Sequence, residues 1–237
     1  MPILAANLWG HLSARQRLLA MFNIVAVITG GLALDAWLGW PGQIAAIIWT
    51  LTVFAGLYWQ GGVTERRVLV LCTLIAGLGE VILSLGWGLY DYQFQNVPLF
   101  VPPGHALLMT LGLLVCRHVR ANVAWAVLVL ASAWACYAWV QNSDRFGVAL
   151  FLVYVGCVVF SRARALYATM FVLALVMELY GTALGNWVWL ANTPGLNLTA
   201  ANPPFSAGAL YCLLDLLVLA ALGGLVRRDQ ARLRAPA

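Results

Sequence analysis

Four ionisable residues stand in the middle of long apolar stretches: Glu80, His105, Glu178 and Asp215. Glu80 follows Arg67 by thirteen residues and Glu178 follows Arg164 by fourteen, a depth of about 20 Å on an α-helix. His105 precedes Arg117 by twelve residues and Asp215 precedes Arg227 by twelve, about 18 Å from the same end. The spacing therefore puts all four in one layer. A lone charge at the centre of a bilayer helix costs about 2.5–3.5 kcal/mol on insertion scales, so the four are expected to face one another or water. Paired carboxylates in an apolar pocket suit protonation of an alkene or abstraction of a proton, with His105 and Asp215 as base or water-orienting partners. Two other chemistries use the same residue types. Acids in a row can relay protons, and carboxylates with a histidine can hold a metal. The second and third histidines that metal sites favour are missing from this layer, and no metal or cofactor is expected.

Aromatic and amide residues follow each glutamate. Trp87, Tyr90 and Tyr92 come after Glu80, while Asn186, Trp187 and Trp189 come after Glu178 and Asn202 follows further on. These seven are the candidate substrate-binding residues. The tryptophans also fit the simpler role of anchors at a membrane interface. The two stretches look alike: a glutamate, a glycine six or seven residues later, aromatics, a loop, and a double proline before the next apolar span (Pro102-Pro103 and Pro203-Pro204). Two four-helix halves, 17–119 and 121–226, would then form a parallel repeat about an axis along the membrane normal.

The elements that must carry these residues are helices. Of 237 residues, 63% are hydrophobic and 9% charged, too few for the polar surface of a soluble domain of this length. Apolar spans recur at about 17–39, 43–60, 67–90, 102–119, 121–141, 146–161, 165–190 and 206–226, and most are long enough to cross a bilayer. The expected fold is all-α: one polytopic transmembrane helical bundle of about eight helices, a single domain over 1–237. All thirteen basic residues are arginines, and in an eight-span arrangement twelve fall on one side, with only Arg145 on the other. That asymmetry places both termini in the cytoplasm.

Composition also excludes functions. The arginines sit in pairs between apolar spans rather than in a patch interleaved with aromatics, so nucleic acid is not an expected partner. Without lysine there is no retinal Schiff base. The five cysteines have no Cys-x-x-Cys spacing and read as small core residues. Glu65, Asp144 and Asp229 read as loop residues beside arginines, and Asp35 and Asp91 as residues near the outer interface. The connections 91–101 and 191–205, with almost no charge, are expected to fold back onto the bilayer surface or to cap a cavity.

The run of Glu80, Gly86 through Tyr90, Tyr92 and Pro98 before the next helix resembles the carotenoid hydratase family of carotenoid-biosynthesis membrane proteins. The likeness covers mainly 77–110 and, more faintly, 178–215. It implies addition of water to a terminal double bond of a long linear carotenoid. Size and acid placement are also similar to integral-membrane terpene cyclases, which protonate an isoprenoid with intramembrane carboxylates. The leading expectation is a membrane-embedded lyase-like enzyme of the bacterial inner membrane, working by acid–base chemistry in an outward-opening polar cavity. Its partners would be the lipid bilayer and an apolar lipid or isoprenoid substrate. The alternatives are a small proton-coupled transporter or channel, and a membrane assembly factor. Oligomeric state is left open.

Overall fold

The computed structural model describes residues 8–234; residues 1–7 and 235–237 of the expected 1–237 domain lie outside the described residues. Eight α-helices make up the described chain: α1 Ala14–Leu38, α2 Trp40–Gln60, α3 Val63–Glu80, α4 Val101–Val115, α5 Ala121–Val140, α6 Arg145–Phe160, α7 Arg164–Leu184 and α8 Gly208–Arg234. Six are long and apolar enough to cross a membrane, α3 together with the turn that follows it. The two others, α4 and α6, have 15 and 16 residues. Large apolar side chains cover the outside of the bundle, including Phe22, Leu74, Leu130 and Phe160. This pattern suggests a multi-pass membrane protein.

Local chemistry sets the helix ends. Ser13 and Gln16 form a reciprocal capping box at the start of α1. Gly39, with φ of +63°, turns the chain from α1 into α2, which Trp40-Pro41 opens. Pro102 and Pro103 open α4. At the arginine-rich end, Arg66 donates to the Tyr58 carbonyl at the end of α2, and Arg164 donates to the Val158 carbonyl at the end of α6. Cations there meet the negative pole of each helix. Arg67 pairs with Asp229 at 2.6 Å on the same end.

Spans 67–90 and 165–190 do not continue as helices to their expected ends. After Glu80 the chain makes a π-helical turn, Val81–Gly86, and then a strand, β1 Tyr90–Tyr92. After Leu184, Gly185 adopts the left-handed conformation that closes a helix, and β2 Trp187–Trp189 follows. The two strands pair antiparallel, Tyr90 with Trp189, Asp91 with Val188 and Tyr92 with Trp187. Backbone bonds from Leu190 to Leu89 and from Gln93 to Asn186 extend the ribbon at both ends. Because side chains alternate across a strand, Tyr90, Tyr92, Trp187 and Trp189 point into the bundle while Asp91 and Val188 point out.

Two acids expected near the surface are buried and tie the long loops down. Asp35 accepts from Gln43 (3.1 Å) and Asn186 (2.8 Å), and its backbone carbonyl takes Gln93. Asp144 caps α6 through the Gly147 amide and also accepts from the amides of Ala201 and Phe205. Asp144 thus serves as a clamp on the 191–205 connection rather than as the partner of Arg145, whose guanidinium lies over Trp139. Glu65, also expected in an exposed loop, is buried and accepts from the Trp9 amide. A buried carboxylate that collects backbone N–H groups satisfies both itself and the loop it holds.

Candidate active site

Glu80, the last residue of α3, and Glu178, in the last two turns of α7, are both buried beneath the ribbon. Each carboxylate collects three hydrogen bonds. On Glu80, Oε2 accepts from the hydroxyls of Tyr90 and Tyr92, both at 2.8 Å, while Oε1 meets His105 Nε2 at 2.9 Å. On Glu178, Oε2 accepts from the indole N–H groups of Trp187 at 2.8 Å and Trp189 at 3.0 Å, and Oε1 accepts from the Tyr211 hydroxyl at 2.9 Å. In both cases two donors come from the strand that follows and the third from the next helix, α4 or α8. Charge-assisted bonds of this kind are the strong ones, and three per carboxylate offset much of the cost of burying it.

Tyr90 and Tyr92 lie ten and twelve residues after Glu80, but Trp187 and Trp189 lie nine and eleven after Glu178. The π-helical turn accounts for the extra residue. Its signature is the bond from the Trp87 amide to the Ile82 carbonyl, five residues back, where an α-helix would bond four back. The Ser84 hydroxyl then bonds the Tyr90 carbonyl and seats the strand.

The two cradles touch. Tyr90 packs on Trp189 with ring centroids 4.6 Å apart, Tyr92 meets Trp187 edge-on at 6.0 Å, and His105 stacks on Tyr211 at 4.7 Å with the planes 21° apart. His105 Nδ1 is buried and has no hydrogen-bond partner among the described residues. Which ring nitrogen carries the imidazole proton decides whether Nε2 donates to Glu80 Oε1 or accepts from it. Burial, and then the Glu80 charge, push the Tyr92 hydroxyl well above its usual range, so it remains a protonated donor.

Two cavities meet at these residues. Both are lined by Glu80, Tyr90, His105, Glu178, Trp189 and Tyr211. The smaller, about 60 Å³, extends toward α1, α4 and α7 past Tyr92, Trp187 and Thr50. The larger, about 230 Å³, extends between α3 and α8.

Compared with protein-family models, with curated proteins and with solved structures, the chain matches none. The site therefore rests on its own geometry.

Of the eleven residues singled out in the sequence, Glu80, Glu178, His105, Tyr90, Tyr92, Trp187 and Trp189 come together around the cavities. The other four do not line them. Trp87 lies partly exposed outside and donates to the Pro194 carbonyl. Asn186 donates to Asp35 and to the Leu32 carbonyl, and Asn202 accepts from the Trp189 amide, so both brace the ribbon. Asp215 was expected in the same layer as the two glutamates, but it lies one helical turn beyond Tyr211 on α8. It is fully buried, lines neither cavity and makes no hydrogen bond among the described residues; the thiols of Cys72, Cys157 and Cys212 lie near it. A depth count fixes position along a helix axis but not which groups converge across the bundle. Sequence reasoning also missed Tyr211. Its signal was its place four residues before Asp215, on the same helix face. No three His, Cys, Asp or Glu side chains gather as a metal site among the described residues.

Proposed function

We propose that this chain is a multi-pass membrane enzyme that performs acid–base chemistry on a carbon–carbon double bond of an apolar lipid or isoprenoid substrate. The observation that carries this reading is the pair of buried carboxylates, each held by three donors, at the junction of two largely apolar cavities. The helices cross the bilayer as one bundle, with the arginine-rich end in the cytoplasm of a bacterial inner membrane. The two halves form a parallel repeat about a two-fold axis through the Asp91–Val188 pair. Three features support it: the centred strand register, the matching donor sets, and the single extra residue in the π-helical turn.

The two carboxylates divide the work. In its acid form the Glu80–His105 pair holds one proton more than a carboxylate and a neutral imidazole, and the imidazole Nδ1 has no bonding partner among the described residues. Protonation of an alkene carbon consumes that proton and leaves a carbocation next to Glu178. The three donors favour the anionic form of Glu178, and in that form its charge together with the faces of Tyr90 and Trp189 stabilises the cation. A water molecule then adds to the cation and returns its proton to the Glu80–His105 pair. Atoms balance as alkene plus water giving alcohol, and the pair ends as it began. Loss of a neighbouring proton to the same pair would instead move or re-form a double bond.

Expression of Glu80→Gln and Glu178→Gln in a host that makes the substrate tests this reading. Both variants should accumulate to the normal level in membranes and lose about 10²-fold or more of product, detected as the change in lipid-soluble metabolites. Normal product from both would sink it.

A further inference from the structure

The two cavities differ in what lies over them. The smaller one sits where α4 and α7 meet, and α1 packs on both helices and closes it, with Val27 and Leu32 buried. The larger one sits where α3 and α8 meet. The first helix of the second half, α5, packs on α6 and α7 and leaves this side uncovered. Away from the six shared residues its walls are entirely apolar, and it ends at Ile82, Leu213 and Leu217, which are exposed on the outer surface. Ile82 belongs to the π-helical turn, so the same extra residue that shifts the strand also shapes this mouth. At the corresponding place on α7 the helix is regular and the Trp187 indole lies against Gly181, filling the space.

We propose that the mouth between α3 and α8 is a lateral portal through which a single hydrocarbon chain enters, end first, from the bilayer. The proposal rests on the acid–base reading above and adds the route and the shape of the substrate. A chain entering here meets only apolar side chains until its tip reaches Glu80, His105 and Glu178. A polar or charged substrate would lose its hydration at the mouth with no partner offered in exchange. Because α1 roofs the far side, the tip stops in the small compartment beside the carboxylates, and the reacting atoms lie at the end of the chain rather than in its middle.

Gly79 offers a direct test. It lines the larger cavity, and a Cβ built there meets nothing within 4 Å, so a side chain at this position starts out into open space. The purified chain in lipid nanodiscs is irradiated with a linear prenyl hydrocarbon carrying a terminal diazirine, and labelled peptides are mapped. Label should fall on 75–83 and 210–217. Gly79→Trp should lower it by about tenfold or more, and Leu217→Trp, on the exposed rim, should lower it in a background where folding is not in question. Leu130→Trp, on the exposed face of α5, should leave it unchanged. Label on α1 and α4 that is indifferent to Gly79→Trp and Leu217→Trp overturns the portal, as does label nowhere in the bundle. Portal and chemistry fail separately. Label on α3 and α8 with full turnover in Glu80→Gln and Glu178→Gln keeps the route and removes the acid–base reading. Label elsewhere with both variants inactive does the reverse.

Discussion

Glu80 is held by two phenols and an imidazole, Glu178 by two indoles and a phenol. The geometry of the two cradles is the same; the chemistry of the donors is not. An indole N–H only donates and never titrates, so the partners of Glu178 on β2 offer bonds only to an acceptor. An imidazole exchanges protons near neutral pH. In the proposed mechanism the carboxylate paired with the imidazole carries the proton, and the carboxylate bonded by indoles carries the counter-charge. In the proposed reading, different side chains at matched positions of two similar frames give the two carboxylates different protonic roles.

Substitutions at matched positions can break or sharpen this contrast. The largest effect is expected for Glu80→Gln, about 10³-fold in product formed per unit of protein in membranes, against about 10²-fold for Glu178→Gln. Equal losses would remove the division of labour. Next, His105→Gln should lower turnover about 10²-fold, whereas Tyr211→Phe, which removes one donor of three from Glu178, should lower it about tenfold. A larger loss in Tyr211→Phe would exchange the roles of the two cradles. Smaller again are the donor deletions read as stability. Tyr92→Phe and Trp187→Phe each strip one bond from a buried carboxylate and should reduce unfolding stability in detergent by roughly 1.5–3 kcal/mol, to a similar degree on both sides. The smallest change is expected at Asp215. It has no bonding partner among the described residues, so Asp215→Leu should leave turnover unchanged and stability unchanged or raised by about 1 kcal/mol. A loss of turnover comparable to that of Glu178→Gln would return the fourth acid to the site.

Much of this was legible in the chain before its structure. Apolar runs marked eight helical segments, and the depth count from Arg67 and Arg164 put Glu80 and Glu178 at one level. The ribbon was not legible as strand. Three residues each of Tyr-Asp-Tyr and Trp-Val-Trp are too short to show an alternating pattern against an apolar background, and their aromatics read equally well as interface anchors. Asp144 misled because its neighbour Arg145 offered a simpler partner than three backbone amides, two of them more than fifty residues away. The mismatch noted in the sequence, six residues from Glu80 to Gly86 against seven from Glu178 to Gly185, runs opposite to the one that matters: the strand aromatics lie one residue further from Glu80 than from Glu178, and the π-helical turn absorbs that surplus so both strands meet in register.

That register has a mechanical consequence. Paired Cα atoms in an antiparallel ribbon sit roughly 4.5–5.5 Å apart, a distance fixed by backbone hydrogen bonds and insensitive to how tightly neighbouring helices pack. The donor pairs of the two carboxylates hang from opposite rails of one such ladder. Helices in a bilayer tilt and breathe as lipid composition and temperature change, but the ladder acts as a ruler laid across the bundle, holding the gauge between the donors of Glu80 and those of Glu178 constant while the walls around them move.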